Sequence, residues 1–77
     1  MRTITVYCRP LDYPAEFVAR AFEYLPALGM PCPGELIARG QTLKAIYEQI
    51  EPEIRAAGMV RFRRAADDEL SIVETWI

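Results

Sequence analysis

Residues 12–25 read DYPAEFVARAFEYL, and the way this run folds decides the architecture of the whole chain. Taken at a period of 3.6 residues, it predicts a helix. Asp12 or Tyr13 supplies the cap, and Pro14 is tolerated in the first turn. Glu16 falls where the helix dipole favours an acid. Phe17, Val18, Ala21, Phe22 and Leu25 then line one apolar stripe. Glu16 and Arg20, four residues apart, pair on the solvent side.

Upstream, residues 3–8 (TITVYC) alternate and are rich in β-branched types, which predicts a strand with Ile4, Val6 and Cys8 on one face. Downstream, residues 26–34 hold three prolines and two glycines and read as an apolar loop. Residues 35–39 predict a short strand ended by Gly40. Thr42 caps a second helix, in which Leu43, Ile46, Tyr47, Ile50, Ile54 and Ala57 recur at helical spacing. Pro52 predicts a kink, or two short helices meeting near Glu51. Gly58 is the natural stop.

Residues 59–64 and 70–77 read as two strands joined by a hairpin loop at 65–69. Pairing Arg64 with Leu70 puts Val60, Phe62, Ile72, Glu74 and Trp76 on the core face. Arg61, Arg63, Ser71, Val73 and Thr75 then face solvent. The order is β-α-β-α-β-β. The expectation is one α+β domain over residues 1–77, a small three- or four-stranded, mostly antiparallel sheet with two helices on one face. Phe22, Ile46, Ile50, Phe62 and Ile72 are its predicted shared core.

The 77 residues are 52% apolar and carry a formal charge of −2. That is enough apolar surface to offset ordering entropy. No run is long and apolar enough to span a bilayer, and residues 1–4 lead straight into the first strand without a signal-peptide core. The expected compartment is the cytoplasm, with no membrane partner. The negative charge argues against nonspecific nucleic-acid binding, which is driven by phosphate neutralisation.

Chemistry-bearing residues are sparse. The chain has no histidine, which removes the usual activator of Ser71 or of either thiol and argues against a structural zinc. Cys8 and Cys32 are widely spaced and read as free, buried thiols, with a disulfide as the alternative. No metal, cofactor or catalytic residue is expected, and the chain reads as a non-enzyme. Glu74 is the one polar residue on the predicted core face. It either meets an arginine or the sheet edge, or it serves as a binding-site acid beside Trp76.

Two charged groups remain. Glu48, Glu51 and Glu53 on the second helix, with Asp67, Asp68 and Glu69 in the hairpin loop, form a candidate acidic partner-binding surface. Arg61, Arg63 and Arg64 form the basic counterpart, which on a strand can meet RNA or single-stranded DNA. Phe62, turned away from the arginines by alternation, gives that reading no stacking surface.

In size and character the whole chain resembles the anti-CRISPR inhibitors of phages and related mobile elements. The likeness is one of type. It rests on no residue motif, residues 71–77 (SIVETWI) included, and transfers no functional residue. It implies an inhibitor that occupies a site meant for DNA on an effector complex. The leading expectation is a small protein-binding inhibitor or regulator. A structural or homodimeric interaction module is the alternative, and a small RNA- or DNA-binding domain using Arg61, Arg63 and Arg64 the second alternative.

Overall fold

The computed structural model describes residues 2–25, 30–31, 34–64 and 70–77. Its elements are β1 (Arg2–Cys8), β2 (Phe17–Leu25), β3 (Met30–Pro31), β4 (Glu35–Gly40), α1 (Leu43–Ala57), β5 (Arg61–Arg63) and β6 (Ile72–Trp76). All strand pairings are antiparallel. The sheet runs β4-β2-β1-β6-β5, and the two-residue β3 pairs with the far end of β2. The class is α+β as expected, but among the described residues there is one helix rather than two, and the sheet is wider.

The run that decides the fold is a strand. Phe17–Leu25 pairs with β1 along its length, from Cys8↔Phe17 to Arg2↔Glu23, and with β4 on its other side. The helical reading fails because alanine is apolar at any period. Ala19 and Ala21 alternate with Val18, Arg20 and Phe22, and fit a period of 2 as well as 3.6. Hydrogen bonding to two neighbouring strands then outweighs intrinsic propensity. The intended cap is a turn: Tyr13 N–H donates to the Pro10 carbonyl at 3.0 Å and Arg9 N–H to that of Glu16 at 2.9 Å, closing the β1–β2 hairpin.

The alanines have a packing role. Ala19, Ala21 and, on β4, Ala38 are buried and form a shallow floor. Ile46 and Ile50 of α1 pack there with Ile4 and Val6 of β1, and these residues make up the core. Small floor residues let the helix axis approach the sheet closely.

The helix is capped as its sequence predicts. The Thr42 side chain accepts from Ala45 N–H at 3.1 Å, and Gly58 closes the C-terminus with φ 64, in the left-handed region that suits glycine. Pro52 lies inside one uninterrupted helix. Both Glu48 and Pro52 are exposed, so the proline falls on the solvent side of the helix, where the helix can bend slightly to accommodate it.

The C-terminal strands exist, but their register differs from the expected one. Arg61 pairs with Trp76, Phe62 with Thr75 and Arg63 with Glu74. A shift by an odd number of residues turns β5 over. Arg61 and Arg63 therefore share the helix-side face with Trp76 and Glu74, and Phe62 takes the other face, 53% exposed. Of the predicted shared core, Ile46 and Ile50 are buried together, whereas Phe22 and Ile72 are half-buried outside the cluster. No helix is long and apolar enough to cross a membrane among the described residues.

Candidate binding pocket beside the free edge of the sheet

Five strands spaced by ~4.8 Å span about 19 Å, and a helix with its side chains is only about 10–12 Å wide. One helix cannot cover this sheet. α1 lies over β4 and β2, and the β6–β5 side of the same face is left beside its flank. Tyr47, Glu51 and Ile54 recur at intervals of four and three and so form one ridge along that flank. Trp76 and Arg61, directly opposite each other in the ladder, face it from the sheet. Together these five residues line a pocket of about 300 Å³.

Glu74 lies beneath this arrangement, 4% exposed. Its Oε1 accepts a hydrogen bond from the Tyr47 hydroxyl at 2.6 Å. Its Oε2 and the Trp76 indole N–H are buried without a partner among the described residues. Burial pushes the Tyr47 hydroxyl pKa above its ordinary value, and the bond to Glu74 and its charge push the same way, while Arg61 opposes them. The acid therefore meets a tyrosine, and neither an arginine nor the sheet edge. The clue in the sequence was Tyr47 itself, since a tyrosine on a buried helix face needs a partner for its hydroxyl.

A second pocket, of about 400 Å³, is lined by Arg61, Arg63, Arg64, Val73 and Glu74. Arg61 belongs to both pockets, and the Tyr47–Glu74 bond joins a wall of one to a wall of the other.

No match to this chain is found among protein-family models, curated proteins or solved structures. Its chemistry must be read from its own residues.

The acidic residues singled out from sequence do not all meet on one surface. Glu53 is ion-paired with Arg2, which also reaches Glu23 at 3.6 Å. Glu51 pairs with Arg55 at 2.5 Å, one turn along the helix, and borders the first pocket. Glu48 is exposed one turn before Pro52. Asp67, Asp68, Glu69 and Cys32 lie outside the described residues. Cys8 is a half-buried free thiol. Among the described residues, no three His, Cys, Asp or Glu side chains stand close enough to share a metal ion.

Remaining charges hold the far end of the sheet. Arg39 makes a two-pronged contact with Glu16, at 3.0 and 2.6 Å, and stacks on the Tyr13 ring at 4.8 Å. Those hydrogen bonds hold the Glu16 carboxyl below its ordinary pKa. Arg20 pairs with Asp12 and donates to the Gly34 carbonyl at 3.2 Å. These contacts fasten the residue 9–16 turn over the face opposite α1, away from the two pockets beside the helix, and Tyr7, Pro10, Leu11, Asp12, Arg20 and Ser71 line a further hollow there.

Proposed function

We propose that this chain is a small non-enzymatic protein-binding inhibitor or regulator that grips its partner along the β5 edge. The observation that carries this reading is that both faces of that edge present large side chains. On the helix side stand Trp76 and the pocket. On the other face Val60, Phe62 and Ile77 are 59%, 53% and 45% exposed. Val60 and Ile77 exchange backbone hydrogen bonds at 2.8 and 3.0 Å, which fixes their side chains on the face shared by Phe62. Alternation then turns the N–H and C=O groups of Arg61 and Arg63 outward, away from β6. An edge with apolar groups on one face and unpaired backbone along its rim is suited to docking by another protein.

Glu48 and Glu51, on the exposed flank of α1, add negative charge on the helix side. They favour a partner with a basic groove, such as a nucleic-acid-processing complex of the kind that anti-CRISPR inhibitors block. The test is affinity capture from the source cells with the native chain and with Phe62→Asp, followed by mass spectrometry. The expected result is a partner retained by the native chain and lost by the variant, with the variant's thermal midpoint unchanged because Phe62 is exposed. Equal recovery with both chains would remove the β5 edge from the interface.

A further inference from the structure

The two pockets on the helix side differ in chemistry and share a wall. The first is walled by Trp76, Tyr47 and Ile54, with the Glu51 carboxylate at its rim. The second gathers three guanidinium-bearing residues, Arg61, Arg63 and Arg64, around Val73 and the buried Glu74. We propose that the pair forms a site for a nucleoside monophosphate, with the base against Trp76 and Tyr47 and the phosphate on Arg61 and Arg63.

An indole and a phenol ring offer flat apolar surface on which any base stacks. Glu51 at the rim can accept from a base amino group. Guanidinium forks match phosphate oxygens in geometry as well as charge. Arg63 stands directly across the ladder from Glu74, yet forms no ion pair with it among the described residues; Glu74 is held instead by Tyr47. That leaves the Arg63 guanidinium available to an incoming anion. The unpartnered Oε2 of Glu74 is the independent sign that this site lacks something. An acceptor among arginines selects a ligand that brings donors beside its acid oxygens, as a ribose does beside its phosphate. The volumes, about 300 and 400 Å³, lie at the low end of the ~300–1,000 Å³ typical of ligand pockets. They fit one nucleotide, which is either free or the phosphorylated end of a single strand.

The chain has one tryptophan, so the indole N–H resonance of Trp76 reports on the site without ambiguity. It is followed by NMR, with the backbone amides of Arg61 and Arg63, during titration with AMP, GMP, CMP and UMP. The expected result is saturable shifts at these positions for at least one of them, with a Kd below about 1 mM. The matching nucleoside and inorganic phosphate should each bind about tenfold more weakly, and Arg63→Ala should weaken the nucleotide about tenfold. Arg63 is exposed, so that variant keeps its fold, and Lys44→Ala on the helix is the control that should change nothing. A nucleotide that binds more tightly than a 5′-phosphorylated tetranucleotide identifies the free form as ligand, and the reverse order identifies a strand end. The absence of shifts with all of these nucleotides, shifts undiminished in Arg63→Ala, or equal binding of phenyl phosphate would each overturn the proposal.

Discussion

Tyr47→Phe deletes one oxygen, and its cost falls mainly on Glu74. The variant leaves both carboxyl oxygens of that buried residue without a protein partner, and an unsatisfied buried polar group costs about 1–3 kcal/mol. Chemical denaturation should show a loss of that size. The same hydroxyl sets a pH dependence. Its pKa is higher folded than unfolded because burial and Glu74 disfavour the phenolate. The neutral form is thus favoured by folding. Its contribution is complete below the unfolded value of about 10 and is lost as pH rises through the higher folded value. Native stability should fall more steeply than that of Tyr47→Phe between about pH 9 and pH 11. Parallel slopes would show that Tyr47 titrates as it does in the unfolded chain.

At the scale of elements, α1 is held by the isoleucines it sets on an alanine floor. Ile50→Ala should cost about 2–5 kcal/mol, the range for truncating a fully buried aliphatic. A loss below about 0.5 kcal/mol would be that of a surface position. This helix was legible in the sequence, because Thr42, the stripe from Leu43 to Ile54 and Gly58 each point the same way. β1 and β4 were legible too, from β-branched alternation and from Gly40. β2 was not, since Ala19 and Ala21 satisfy both periods and only pairing with β1 and β4 separates them. The pocket stayed hidden for a related reason. Its residues come from α1, β5 and β6, and the facing of Arg61 and Arg63 depends on a register that the 65–69 segment leaves open. Glu74 and Trp76 were correctly placed on the core face, but the arginines were assigned to the wrong side of the sheet.

For the whole molecule, charge and shape act together. Arg2 ties the start of β1 to Glu23 on β2 and to Glu53 on α1, so the Glu53 charge is already matched within the fold. Glu48 and Glu51 are exposed on the helix, Glu51 beside Arg55, and the proposed docking assigns them to steering. Reversing both to lysine should slow association with the partner, more at low salt than at high, as screening predicts. The folded state should be little affected, because both residues are exposed. Stopped-flow or surface-binding kinetics at two ionic strengths would measure this, and unchanged rates at both would exclude the acids. The sheet also carries two irregularities, in β4 opposite Ala19 and Arg20 and in β6 opposite Val6 and Tyr7. At each, the partner strand holds one residue too many, Ile37 and Val73, and both pack against the core. Such bulges increase local twist, and they also give the chain slack. Deleting Val73 would leave Glu74 opposite Val6 and Ile72 opposite Tyr7 and return β6 to plain alternation, at the cost of the Val73 side chain alone. Deleting Val6, aligned with Ala19 on one side and Glu74 on the other, has no such refuge and turns half of β1 inside out. Thermal melts of the two deletions should therefore differ sharply, the first folding cooperatively and the second not at all. Chain length is thus negotiable in this sheet at the bulges of β4 and β6 and fixed in β1.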